Sequence, residues 1–129
     1  MTTPPGFATV TPYIITEASH DYCAFLAAAF AAEEIGRHVI EGRVANAMLR
    51  IGNNVVMVAD AVPGHPATRA TFYLYVADAD AAMAQALAAG ADVVGAISDK
   101  PYGDRQGGVR DPAGNVWWIS QRLVADPYY

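Results

Sequence analysis

Polar and apolar residues alternate along this chain in short runs, broken twice by alanine-rich stretches of helical period. Residues 10–16 read as a short β-rich run. Tyr22, Phe25, Leu26, Ala29 and Phe30 then recur at i, i+3, i+4, i+7 and i+8, the stripe of an amphipathic helix. Ser19 is placed to cap that helix, with Asp21 in the first turn, where the helix dipole favours negative charge. After Gly36 the pattern predicts strands over 37–41, 43–51 and 54–60, with Gly52-Asn53-Asn54 as the tight turn between the last two. The order then begins again. A strand over 70–76 precedes a helix capped by Asp78 and stopped at Gly90, and strands over 92–97, 105–110 and 115–121 follow.

The second run is a copy of the first. Thr11-Pro12-Tyr13-Ile14 returns sixty positions later as Thr71-Phe72-Tyr73-Leu74. Each copy is followed by an alanine-rich stretch, and Asn54-Val55-Val56-Met57-Val58 matches Asn115-Val116-Trp117-Trp118-Ile119. Their common order and nearly constant offset identify an internal repeat. The reading is therefore α+β, two βαβββ repeats whose sheets curl around a cleft with helices on the outer face. All 129 residues form one domain: repeat one over about 8–60, a linker over 61–69, and repeat two over about 70–122.

Strand alternation assigns faces. Phe72, Leu74 and Val76 should lie under the helices, leaving Thr71, Tyr73 and Tyr75 toward the cleft. By the same rule Ala45, Ala47, Leu49 and Ile51 face helices, while Asn46, Met48 and Arg50 face the cleft. Trp118 and Ser120 point inward, opposite Trp117 and Ile119, and Arg105 or Arg110 could add a second charge to the cleft.

Composition removes several classes of function. The net charge of -5, with a single lysine (Lys100) and scattered arginines, cannot neutralise a run of phosphates, which argues against nucleic acid and anionic membranes. Cys23 stands alone within an apolar helix, so neither a disulfide framework nor a cysteine zinc site is expected. No basic-then-apolar leader precedes the first strand, and the longest apolar run, 23–32, is too short to span a bilayer. A cytoplasmic protein is expected.

Four segments carry a resemblance: 11–14, 42–52 (Gly-Arg-Val-Ala-Asn-Ala-Met-Leu-Arg-Ile-Gly), 75–80 and 102–117. The last, Tyr102-Gly103-Asp104-Arg105 through Arg110-Asp111-Pro112-Ala113-Gly114 to Trp117, is the most specific. Together they resemble the PhnB-like branch of the vicinal-oxygen-chelate superfamily, which includes glyoxalases, bleomycin-resistance proteins and dioxygenases. The resemblance covers about 9–121. It implies a cleft site, homodimers, and, in metal-dependent members, His and Glu ligands from the first and last strands of each repeat. Those positions map here to Thr11 and Thr71, and to Met57 and Trp118. None supplies the imidazole or carboxylate that a divalent ion needs. Many PhnB-like members also carry His where this chain has Asn46. His20, His38 and His65 fall at a helix start, an early strand and the linker, where solvated or packing roles are the commoner ones. No metal and no cofactor are expected.

The cleft candidates are Thr11, Tyr13, Asn46, Met48, Met57, Thr71, Tyr73, Tyr75, Trp118 and Arg105. Aromatic faces suit stacking on a planar ligand, and Asn46 with the two threonines adds neutral hydrogen bonds. The resemblance extends to metal-free members that sequester antibiotics by stacking, so binding of a small planar or semi-polar molecule is the first expectation. The alternative is an enzyme of the same superfamily (lyase, isomerase or cyclase), metal-independent or with unusual ligands such as His38 and Glu41, and with Asp104 or Tyr73 as general acid or base. Asp104-Arg105 reads more readily as a structural ion pair or turn, and Asp111-Pro112-Ala113-Gly114 as a turn. Pro127-Tyr128-Tyr129 is the one segment that hints at a partner.

Overall fold

A computed structural model describes residues 2–129. The chain divides between Arg69 and Ala70 into two compact units. The first contains β1 (Tyr13–Thr16), α1 (Ser19–Phe30), β2 (Glu33–Ile40), β3 (Arg43–Ile51) and β4 (Asn54–Asp60). Its sheet has the order β1-β4-β3-β2, with β1 parallel to β4 and the other pairs antiparallel. The second contains β5 (Thr71–Tyr75), α2 (Ala79–Ala88), β6 (Asp92–Asp99), β7 (Asp104–Arg110) and β8 (Val116–Arg122), in the order β5-β8-β7-β6 with the same directions. The βαβββ order read from the periodicity is present twice.

Each helix seals one face of its own sheet. Tyr22, Phe25, Leu26 and Ala29 of α1 are buried together with Ala47, Leu49 and Val58. In the second unit Ala79, Met83 and Ala86 of α2 are buried, as are Val109 and Ile119. Complete burial of a leucine or isoleucine such as Leu26, Leu49 or Ile119 contributes about 1.5–3 kcal/mol.

The helix ends differ from the sequence expectation in an instructive way. Asp78 does cap α2, its Oδ1 accepting from the Ala81 N–H at 3.0 Å. Ser19, however, is the first residue of α1 rather than its cap, and Ala18 at the cap position supplies no side-chain bond. The cap comes from the far end of the unit: Asp60 Oδ1 accepts from the Ser19 N–H at 3.0 Å, and its Oδ2 from the Val44 N–H at 2.7 Å. One carboxylate thus ties α1, β3 and β4 together. At the other end α1 stops because Ala31 turns left-handed (φ 56°), so β2 starts at Glu33, before Gly36 instead of after it. Gly36 lies inside β2, opposite Met48, next to a register shift.

Residues 61–69, the last of the first unit, run along the edge of its sheet. Thr68 donates its N–H to the Ile15 carbonyl at 3.0 Å, and Val62 and His65 form an isolated bridge. No helix among the described residues is long and apolar enough to cross a membrane.

Candidate ligand-binding site

Cross-strand register brings the chemistry of the second unit onto one face of its sheet. Residues directly opposite one another share a face, so three rows can be followed across the strands. Tyr73 pairs with Trp118, which pairs with Gly108 and then Gly95. Two residues along, Tyr75 pairs with Ser120, then Gln106 and Ser98. Another step brings Arg122 opposite Asp104.

The first row is a seat for an indole. A Cβ placed on Gly108 would stand 2.5 Å from Trp118 Cζ3, so the ring lies directly on the bare backbone there. The second row and the third form a polar floor. Asp104 is completely buried, yet it carries a carboxylate. Its Oδ2 accepts from Ser120 Oγ at 2.9 Å and from the Tyr128 hydroxyl, and its Oδ1 accepts from Arg122 Nη1 at 2.9 Å. Gln106 Nε2 donates to Ser120 Oγ at 3.1 Å, while its Oε1 accepts from the Tyr102 hydroxyl at 2.6 Å. Burial, the largest influence on Asp104, pushes its carboxyl upward. The three hydrogen bonds and the Arg122 charge outweigh it and hold the group below the usual carboxylate range.

Above this floor the walls are tyrosines. Tyr73, Tyr75, Tyr102, Tyr128 and Tyr129 line, with Asp104, a cavity of about 440 Å³. Tyr73 and Tyr75 stack with their centroids 6.1 Å apart, and both are more than half exposed. The Arg122 guanidinium lies over the Tyr128 ring, 4.2 Å from its centroid. The Tyr102 phenol is pushed up, first by burial and then by Tyr73 and the Asp104 charge.

Of the residues singled out from sequence, Tyr73, Tyr75 and Trp118 share this face, and Tyr73 and Tyr75 line the cavity. Thr71 begins the same strand, opposite Val116. Tyr13, Met57 and Met48 form the equivalent row on the first unit's sheet, and Asn46 sits opposite His38. Thr11 lies before β1, its hydroxyl donating to the Ala8 carbonyl. Arg105 is elsewhere: it is held by Asp80 of α2 at 2.9 Å and by Asp99 at 2.9 Å. Asp104 and Arg105 do not pair with each other, because neighbours in a strand point to opposite faces. Arg122, Gln106, Tyr102 and Tyr128 were not among the sequence candidates. Alternation back from Gly108 through Gln106 to Asp104 was available as a signal; the partners across the sheet and in the following segment were not.

The fit of a divalent ion can be judged from the donors. Register sets Tyr13, not Thr11, beside Met57, and Tyr73, not Thr71, beside Trp118. Two tyrosines, a thioether and an indole offer neither the imidazole nor the carboxylate that such an ion takes. Among the described residues no three His, Cys, Asp or Glu side chains come together in a way that could hold one. These residues do not fit such an ion.

Comparison with known proteins agrees with the architecture. A family model for a glyoxalase-like domain matches residues 16–120. An uncharacterised protein of Mycobacterium bovis is 36% identical over 124 residues, covering 87% of this chain and 82% of its own length. The crystal structure of TioX from Micromonospora sp. ML1 is similar with a TM-score of 0.73 at 27% identity, over 88% of this chain and 98% of that one. TnmS3, an antibiotic-binding protein from Streptomyces sp. CB03234, shares the fold with a TM-score of 0.68 at 18% identity, over 89% and 97% of the two chains.

Proposed function

We propose that this chain, which belongs to the glyoxalase-like family of the vicinal-oxygen-chelate superfamily, binds a small planar molecule against the tyrosine-lined face of its second sheet and releases it unchanged. The observation that carries this reading is the cavity of about 440 Å³ walled by Tyr73, Tyr75, Tyr102, Tyr128 and Tyr129. That size suits a drug-like or metabolite-sized ligand, and flat aromatic walls with a few polar groups at one end are the general form of such sites. The antibiotic-binding TnmS3 supports a binding role on this fold. Turnover is disfavoured by the state of Asp104. A carboxylate with a lowered pKa and three donors already on its oxygens is a weak general base near neutral pH. Pairing into homodimers belongs to the same reading and is measured by sedimentation equilibrium.

The test is a calorimetric screen of planar aromatic compounds, with recovery of each bound compound by liquid chromatography and mass spectrometry. Saturable binding is expected, weakened about tenfold by Tyr73→Ala or Tyr75→Ala through loss of one stacking surface. Recovery of a chemically altered compound in multiple turnovers would move the protein to the enzyme side of its family. Binding indifferent to both substitutions would remove the site.

A further inference from the structure

The three donors on buried Asp104 are not equivalent. Ser120 and Arg122 both belong to β8, and β7–β8 register fixes them opposite Gln106 and Asp104. Tyr128 belongs to neither strand nor helix. It lies in the irregular segment that follows Arg122, and its ring is still about half exposed. Its hydroxyl nevertheless reaches Asp104 Oδ2 and lies 2.9 Å from the Tyr75 hydroxyl. Its ring sits under the Arg122 guanidinium and beside Tyr102, with centroids 6.5 Å apart. The segment is tethered lightly: the Leu123 N–H to the Gly103 carbonyl at 2.9 Å, and Arg122 Nη2 to the Asp126 carbonyl.

Every element of a phenol-recognition site is therefore present and filled by the chain's own phenol. The hydroxyl donates to a carboxylate, the ring face meets a guanidinium, and further tyrosine rings stand at its edge. Asp104 is buried and Tyr128, alone among its three donors, comes from outside the sheet, so a ligand-borne donor reaches Oδ2 by taking the place of Tyr128. A bare cation is a poorer occupant, since Arg122 already balances the Asp104 charge.

We infer that the cavity takes planar aromatics carrying a phenolic hydroxyl, and that Tyr128 is a displaceable stand-in whose departure opens Asp104 to them. This rests on the binding reading above and narrows it. Binding exchanges one hydroxyl-to-carboxylate hydrogen bond for another, so the hydroxyl matters most and the tail competes.

The experiment compares 2-naphthol with 2-methoxynaphthalene, in which a methyl group replaces the donor hydrogen, and with naphthalene, which lacks the oxygen and adds no bulk. Binding is measured by calorimetry on the full chain and on Tyr128→Phe and Tyr128→Ala, with hydrogen exchange over 123–129 read in parallel. The wild type should prefer 2-naphthol by at least about tenfold, the worth of a hydrogen bond to a charged group. Tyr128→Phe, which keeps the ring and loses the donor, should tighten 2-naphthol by about tenfold, and amide exchange over 123–129 should rise when 2-naphthol saturates the wild type. Equal affinity for the three compounds, unchanged by Tyr128→Phe, would overturn the phenol assignment and leave the broader binding reading standing. Failure of 2-naphthol alone, with other planar compounds bound in a Tyr73-dependent way, would do the same. No Tyr73-dependent binding by any compound would take both away.

Discussion

The seat of Trp118 offers a sharp test of how the second sheet is built. Gly108 and Gly95 lie in the same cross-strand row beneath that indole, and neither has a left-handed backbone. A methyl group added at Gly108 would meet Trp118 Cζ3 at 2.5 Å and Cε3 at 2.7 Å. At Gly95 the same methyl would stand 3.7 Å from Cζ3, an ordinary contact. Alanine in a strand gains about 0.5–1 kcal/mol over glycine by restricting the unfolded chain. Forcing a side chain off its packing position costs about 1–3 kcal/mol. Gly108→Ala should therefore destabilise by about 1–2 kcal/mol, while Gly95→Ala should be neutral or stabilise by up to about 1 kcal/mol. For a chain of this length each kcal/mol moves the midpoint by roughly 3–5 °C. Both tryptophans, Trp117 and Trp118, lie in the second unit, so indole fluorescence in a urea or thermal titration reports that unit. Gly108→Ala should also shift the emission toward the red as the ring lifts from its seat. A Gly108→Ala protein as stable as the wild type, with a destabilised Gly95→Ala, would refute this packing of Trp118 on Gly108.

Three further expectations follow from the charged groups. Asp60→Ala removes the acceptor shared by Ser19 and Val44, and should cost about 1–3 kcal/mol in a denaturant titration followed by circular dichroism; Asp60→Asn, which keeps one acceptor, should cost less. The pKa values of Asp60 and Asp104 both lie below the ordinary value, so the folded chain holds fewer protons than the unfolded one in acid. Their stabilisation is complete above the unfolded carboxylate value of about 4 and fades as pH falls through the lower folded values, and Asp104→Asn should flatten that acid limb. Mass spectrometric metal analysis after incubation with zinc, nickel, manganese and iron should find no stoichiometric ion; one bound ion per chain would mean that donors other than the tyrosines, Met57 and Trp118 hold it.

The binary pattern alone specified ten elements in the right order, because strand and helix periods are local properties of the chain. The predicted strands over 43–51 and 54–60 have the observed bounds, and Asp78 caps α2 as its spacing implied. Alternation also assigned Tyr73, Tyr75, Trp118 and Ser120 to one face, since a period of two leaves no other choice once a strand is in place. What the tertiary structure decided are the contacts between residues far apart in sequence. Asp60, the last residue of β4, accepts from the first residue of α1, and Ser19, which looks like the cap, is buried without acting as one. Asp104 stands beside Arg105 in the chain, but β7–β8 pairing gives it Arg122, and α2 with Asp99 takes Arg105. Nothing in Pro127-Tyr128-Tyr129 as a sequence marks Tyr128 as the donor to a carboxylate that burial hides from solvent. Periodicity carries the face a side chain occupies, but its partner is set by register and by how loops fold back, and both arise only when the sheet has formed.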